Sequence, residues 1–325
     1  MNAVFKQDSR IGKLHTAVGK DVLVLQAFDG VDFVDDLFAY SVEALSVEEN
    51  IDFDHLIGTH ATIELTTPGN GPVYFDGIIV EAQWAGTSKN GNNYKFQLRP
   101  WLWLASKRRN QRIFHNKTAV DIVKEIFGYW GQQCEALVEF RLSETYQSLE
   151  YTVQYQESDF DFVRRMMQQF GISYYFKHEL GRHALIVTDS DFGYDDILGA
   201  SREFIRSDSQ AHGPEEHFWE WNPKRHLTTG AVRLTDYNFK KPAAMMEVDH
   251  TGDAINTLGQ IETYEYPGNY LNQSDGKTLS RLRTIQERSG DHRHEAIGNT
   301  TSLTSGMKVV LTGDHSEGLS LIHIS

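Results

Sequence analysis

The sequence predicts an α+β protein that is mainly β, and three observations carry that expectation. Short stretches alternate apolar and polar residues through the first hundred positions and again after about residue 206. Dense turn signals separate these stretches. Helical spacing is confined to a few windows, near residues 118, 158 and 274. Composition agrees: 40% of the 325 residues are apolar and 23% charged, so a packed chain is expected rather than a disordered one. Aromatic residues reach 12% with only 7 prolines, which suits strands with a buried face.

The first strands are read from a period of two. Phe38, Tyr40, Val42 and Ala44 alternate with Ala39, Ser41 and Glu43, and Ala61, Ile63 and Leu65 alternate with Thr62, Glu64 and Thr66. Val22-Leu23-Val24-Leu25 reads as another strand. The turn-rich run from Thr66 to Pro72 leads back into Val73, Phe75 and Ile78-Ile79-Val80. Lys89-Asn90-Gly91-Asn92 precedes Tyr94, Phe96 and Leu98. Asn-Gly favours positive φ at both central turn positions, so a hairpin is predicted there. Short strands with frequent turns imply a small barrel or sandwich.

From about residue 101 the period changes. Thr118 is a helix N-cap with Asp121 three residues on, and Ala119, Ile122, Val123, Ile126 and Phe127 share one helix face, with Gly128 as the expected left-handed stop. The same design recurs at Ser158 and Asp161, through Val163, Met166, Met167 and Phe170 to Gly171; the two methionines read as core filling. Strands follow at Ile172 to Phe176 and Ala184 to Val187, joined near Gly181. Strand signals return at Phe218-Trp219-Glu220-Trp221 and Ala231-Val232-Arg233-Leu234. A third helix is expected over 274–288 with Leu279, Leu282 and Ile285 on one side, then a strand from Met307 to Leu311.

Charge and motif content exclude several functions. Asp and Glu number 45 against 31 Lys and Arg, a net charge of −14 that repels phosphate backbones, so no nucleic-acid partner is expected. The cluster Lys107-Arg108-Arg109 with Arg112 reads as a solvated loop. A single cysteine, Cys134, excludes an intrachain disulfide framework and a Cys-based zinc site, and fits folding in a reducing cytoplasm. Residues 1–20 hold no apolar run of signal-peptide length, and no stretch approaches the ~20 apolar residues of a membrane span. Phosphate-loop, nucleophile-elbow and zinc-helix motifs are all missing, so no catalytic, cofactor-binding or metal residue is assigned and no cofactor is expected. His292 and His294, in Asp291-His292-Arg293-His294-Glu295, read as a polar surface loop without a third ligand. Asp195-Asp196 and Glu215-Glu216 read as solvated charges. Two glycosylation-type sequons, at Asn116 and Asn272, carry nothing without a secretory signal.

Three segments carry a resemblance. The first is Pro100-Trp101-Leu102-Trp103-Leu104, continuing through Arg112-Ile113-Phe114 to Thr118 and Asp121-Ile122. The second runs from Val153 through Gln154-Tyr155-Gln156-Glu157-Ser158-Asp159-Phe160-Asp161-Phe162 to Arg165, Gly171-Ile172, Tyr174-Tyr175-Phe176 and His178. The third is Tyr264 to Gly268, a Tyr-x-Tyr-Pro-Gly element. Together they resemble the VgrG spike proteins of type VI secretion, whose N-terminal part is similar to phage tail hubs. The similarity runs from about Gly19 to Gly318. His115, Gln168, Phe170 and Asp314 depart from the family pattern without touching any catalytic role.

The resemblance implies two related antiparallel β-barrel-like domains, at 1–105 and 206–318, the second with a helical insertion and truncated, separated by an α+β region at 106–205. It further implies a homotrimer, structural rather than enzymatic, that joins a hexameric secretion tube protein and baseplate proteins to a needle and its spike-tip protein. Such a protein is assembled in the cytoplasm and then secreted without a signal peptide. Two other readings stand beside it: the baseplate hub of a phage or phage-like contractile particle, and the hub of a longer protein with a C-terminal hydrolase effector domain. Trp101-Leu102-Trp103 and Phe218-Trp219-Glu220-Trp221 are candidates for a subunit interface or for core. Residues 319–325 resemble a translated sequencing adapter and are left out of the fold prediction.

Overall fold

The alternation in the first hundred residues becomes one antiparallel sheet. Its strands are β1 (Gly12–His15), β2 (Val24–Val31), β3 (Ala39–Ser46), β4 (His60–Thr67), β5 (Gly71–Ser88) and β6 (Gly91–Arg99), in the order β1-β4-β5-β6-β3-β2. The computed structural model describes residues 5–67, 71–206, 215–253, 258 and 260–313. The expected residues Tyr40, Val42, Ala44, Ala61, Ile63, Phe96 and Leu98 are buried on this sheet. The predicted hairpin forms, but one residue early: Ser88 pairs with Gly91, so Lys89 and Asn90 are the turn. Gly91, at φ 127°, opens the returning strand, and Asn90 has no positive φ. Of the turn before β5, residues 68–70 lie outside the described residues, as does the stretch 319–325.

The sheet curls until its two edge strands face each other across a seam. Gln7, 4% exposed, fills it. Its Oε1 accepts from the backbone N–H of Leu14 on β1 (2.7 Å) and of Leu25 on β2 (3.1 Å), while its Nε2 donates to the Leu14 carbonyl. Arg10 adds a hydrogen bond to the Leu25 carbonyl at 3.0 Å.

The middle of the chain comprises α1 (Trp101–Leu104), β7 (Arg109–Thr118), α2 (Ala119–Cys134), β8 (Leu137–Arg141), β9 (Ser148–Ser158), α3 (Asp159–Gln169), β10 (Ser173–Glu179) and β11 (Arg182–Thr188). Thr118 caps α2 in a reciprocal capping box with Asp121. Gly128 does not stop it. The helix runs on to Cys134 because Trp130 continues the buried stripe, and burying an indole outweighs the ~1 kcal/mol a helical glycine costs. The left-handed residue that ends α2 is Glu135, at φ 52°. β10 and β11 pair antiparallel through Gly181, and β11 continues parallel to β8; β7 and β9 pair only with each other. Met166 and Met167 are both 1% exposed and belong to the core.

The second helix does follow its predicted boundaries. Ser158 Oγ accepts from Asp161 N–H at 3.0 Å, and Gly171 sits at φ 67° while Ile172 N–H reaches back to the Met167 carbonyl at 2.9 Å. That backward bond is the signature of a left-handed helix stop. Gly171→Val should therefore cost roughly 1–2 kcal/mol or more, read as a lower thermal midpoint. An unchanged midpoint would mean the chain reverses without strain at this position.

The rest contains β12 (Asp195–Phe204), β13 (His217–Arg225), β14 (Ala231–Leu234), β15 (Val248–Thr251), β16 (Glu262–Glu265), α4 (Gln273–Arg288), β17 (His292–Gly298) and β18 (Met307–Thr312). The chain divides into two compact units, one of residues 1–168, 172–217 and 299–325, the other of 169–171 and 218–298. In the first, β12 pairs parallel with β18. In the second, β13 pairs antiparallel with β17, and β14 lies between β15 and β16. Val232, Leu234, Met246, Val248 and Tyr270 form the core of that sheet. The helix on it, α4, buries a face other than the expected one. Gly276, Ser280 and Thr284 are buried, Leu279 is half-buried and Ile285 is 54% exposed. Small side chains let the helix approach closely: Thr284 Oγ1 donates to the His250 carbonyl at 3.2 Å, and a Cβ on Gly276 would stand 2.6 Å from the Tyr270 ring.

Candidate functional site

Three metal-capable side chains converge in the first unit. His60 on β4, Asp76 on β5 and His183 on β11 place their donor atoms within 4.8 Å of one another, the one such group among the described residues. Strand pairing explains the meeting. Thr62 lies opposite Asp76 in the β4–β5 ladder, and the β10–β11 hairpin presents His183 to the same point. Asp76 and His183 side chains are fully buried and His60 is 34% exposed. Asp76 Oδ1 accepts from His60 Nδ1 at 2.7 Å and from His183 Nδ1 at 2.8 Å; Oδ2 accepts from Thr62 Oγ1 at 2.6 Å. Thr62 Oγ1 in turn accepts from the Gly181 N–H at 2.9 Å.

The other nitrogen of His183 decides its protonation. Nε2 accepts the Trp101 backbone N–H at 2.9 Å, so in the neutral ring the proton is on Nδ1 and points at Asp76. A metal ion on Nδ1 would displace that proton while Nε2 still faces a donor, leaving an imidazolate. Metal-ligating imidazoles normally donate through the second nitrogen. The donor set therefore fits a proton-filled clasp and does not fit a metal centre.

Electrostatics follow from this arrangement. Burial raises the Asp76 carboxyl, but hydrogen bonds from His183 and His60 outweigh it and hold it below the usual carboxylate value. His60 is raised by its hydrogen bond to Asp76 against partial desolvation. His183 is lowered because burial outweighs its hydrogen bond to Asp76. His178 on β10 extends the network, its Nε2 3.2 Å from the Tyr40 hydroxyl and its Nδ1 close to the Asp76 backbone. His60, Asp76 and His183 sit in no motif, so spacing along the chain gave no sign of them; of the side chains in this network only His178 belongs to a segment that carries the family resemblance.

A second polar centre lies at the start of α3. Asp159, with a fully buried side chain, accepts from Arg112 at 2.6 Å, Arg108 at 3.2 Å and Gln154 Nε2 at 2.9 Å. Arg108 and Arg112 of the basic cluster are thus ion-paired rather than solvated, whereas Lys107 and Arg109 are exposed as expected. Arg108 also lies 3.6 Å from the Tyr129 ring centroid, and Lys107 lies 4.1 Å from that of Trp103.

Residues 33–321 match the family model described as phage tail baseplate hub (GPD). The chain belongs to this tail-hub family. The hub chain is 32% identical over 280 residues to the type VI secretion system spike protein VgrG1c of Pseudomonas aeruginosa, covering 86% of its own length and 38% of the relative's. It spans less than half the length of the curated relatives it matches. Among solved structures it is similar to the Escherichia coli c3393 protein, described as a type VI secretion component with structural similarity to T4 bacteriophage tail proteins gp27 and gp5. The TM-score is 0.68 at 17% identity, over 93% of this chain and 67% of that one. The tail protein of Neisseria meningitidis MC58 shares the fold at TM-score 0.60 and 14% identity, over 97% of this chain and 88% of that one.

The other residues that stood out in the sequence prove to be built into the framework of the hub. His292 and His294 lie on β17 rather than a loop, and His294 Nδ1 accepts from Trp221 Nε1 at 2.8 Å. Asp195 pairs with Arg141 and Lys177 at 2.8 and 2.9 Å. Glu216 is buried against Arg202 at 2.8 Å and accepts from the Ser302 N–H, whereas Glu215 is exposed. Asp195 and Glu216 both hold fixed cations, which is why they are not solvated charges. Trp101 and Leu102 are fully buried and Phe218 is 4% exposed, so these three are core, whereas Trp103, Trp219 and Trp221 are half-buried. The sequon positions serve helices: Thr118 and Asn272 are N-caps.

Proposed function

We propose that this hub chain is the tail-hub portion of a type VI secretion spike, working without catalysis as a homotrimeric adapter between a hexameric secreted tube and a puncturing needle. The observation that carries this is a match to a VgrG spike protein at 32% identity across 86% of the chain, together with a strand-rich fold similar to that of a type VI secretion component. The organisation proposed for it is a first hub barrel at 1–105, an α+β region at 106–205 and a second barrel at 206–318. Baseplate proteins are its further neighbours, and contact with a spike-tip protein would belong to the remainder of a full-length spike. Assembly in the cytoplasm followed by export without a signal peptide completes the reading; no described helix is long and apolar enough to cross a membrane.

A phage-like contractile particle is the second reading, favoured by the shared fold of the N. meningitidis tail protein. An effector domain on a longer polypeptide is compatible with either. A closed trimer uses heterologous contacts that meet only at one rotation, and obligate interfaces bury roughly 2,000 Å² or more. Native mass measurement of a full-length protein should therefore give a trimer, and the trimer should co-purify with the tube subunit. A stable monomer without tube contact would sink the proposal.

A further inference from the structure

The six-stranded sheet, the β10–β11 hairpin and the first turn of α1 meet at a single imidazole. His183 donates to Asp76 on one side and accepts the Trp101 N–H on the other. Both of its nitrogens are committed, and the Trp101 partner is a backbone donor with no second role to offer. A proton added to Nε2 would set N–H against N–H in a site with no exposure to water. We propose that His183 is an acid-sensitive joint: its protonation detaches the β10–β11 hairpin and the start of α1 from the first sheet, loosening the hub in mildly acidic surroundings.

The neighbouring charges fix the direction of the effect. From β5 comes Asp76, from β4 His60, and from β10 His178, paired directly opposite His183 in the strand register. Glu135, after α2, acts on His60, and Tyr40 on β3 faces His178. The Glu179–Arg182 pair at the hairpin end and Glu139 and Arg141 on β8 form ion pairs of their own. Two opposing linkages result. His60 is raised in the folded state, so its contribution is fully present below the free imidazole value of ~6.5 and is lost as pH rises through its folded value. His183 is lowered, so its neutral form supports the clasp above ~6.5 and the support is lost as pH falls from there toward its folded value. His178, also lowered, acts in the same sense as His183. The clasp is tightest near pH ~6.5 and loosens on both sides.

Amide hydrogen exchange of the full chain between about pH 7.5 and 4.5, corrected for the intrinsic pH dependence, tests this at Trp101 and along β10 and β11. Wild-type protein should exchange most slowly near pH ~6.5 and accelerate by up to about tenfold per pH unit for each imidazole released below it. Glutamine offers a donor and an acceptor without titrating, so His183→Gln should lose about one power of ten per pH unit from that acid limb. His60→Gln should flatten the limb above pH ~6.5 instead. Equal acid limbs in wild type and His183→Gln would overturn the proposal. Should that variant not fold, histidine-selective NMR of the wild type decides: titration of His183 below the free value of ~6.5 supports the joint, and titration at the free value refutes it.

Discussion

Asp159→Ala should lower the stability of the protein by roughly 3 kcal/mol. The side chain is fully buried at the first turn of α3, where an acid also faces the positive end of the helix. Three donors converge on it from the β7–β9 ribbon and the segment before it: Arg108, Arg112 and Gln154. Breaking a buried ion pair costs roughly 3–5 kcal/mol because the remaining charge is left uncompensated. Here Arg108 and Arg112 keep 31% and 20% of their side-chain surface, so water softens the penalty toward the lower end. Arg112 Nε already lacks a partner, leaving the guanidinium little to fall back on. Asp159→Asn keeps the shape and some of the hydrogen bonding, and should lose about half as much. Urea unfolding with an unchanged slope would read both losses as midpoint shifts. A shift in Asp159→Ala equivalent to less than ~1 kcal/mol would mean that the arginines find water instead.

Gly306→Ala should be comparably damaging, by roughly 2–4 kcal/mol, for a reason that involves no charge. The residue sits at φ 74°, and an added Cβ would stand 2.1 Å from Cγ of Tyr175. Tyr175 has no room to yield. It is 2% exposed, its hydroxyl donates to the Gly193 carbonyl at 2.9 Å, and Arg141 donates to that hydroxyl at 3.1 Å. The preceding residue is held as well, since Ser305 N–H donates to Asp32 at 3.2 Å. In a Tyr175→Ala background the same substitution should cost only the ~1–2 kcal/mol of left-handed strain, and the double-mutant cycle isolates the clash. Equal penalties in both backgrounds would show that the clash is relieved by backbone movement.

How much of this was legible in the chain depended on how local the cause was. The caps of α2 and α3 are contained in four consecutive residues each, so Thr118 with Asp121 and Ser158 with Asp161 could be read directly. Gly171 ended its helix as expected and Gly128 did not, because Gly128 precedes a further buried turn built on Trp130, and a weak propensity yields to packing. The mostly polar strands β7, β9 and β17 carry no clean alternation, and pairing is what makes them strands. Leucines drew attention to the wrong face of α4, where close approach selected glycine, serine and threonine. The histidine clasp was invisible for a related reason. His60, Asp76 and His183 are far apart in sequence and come together only once the hairpin docks on the sheet.

Gln7 gives the first sheet a mechanical character of its own. Every other junction between its neighbouring strands is a backbone ladder, loaded in shear when the strands are pulled along their length. The seam between β1 and β2 is held instead by one side-chain amide and Arg10. Under tension across the barrel wall, those few hydrogen bonds bear the load one after another rather than together. The wall therefore has a built-in parting line, the one junction of the sheet that side chains rather than a ladder hold closed.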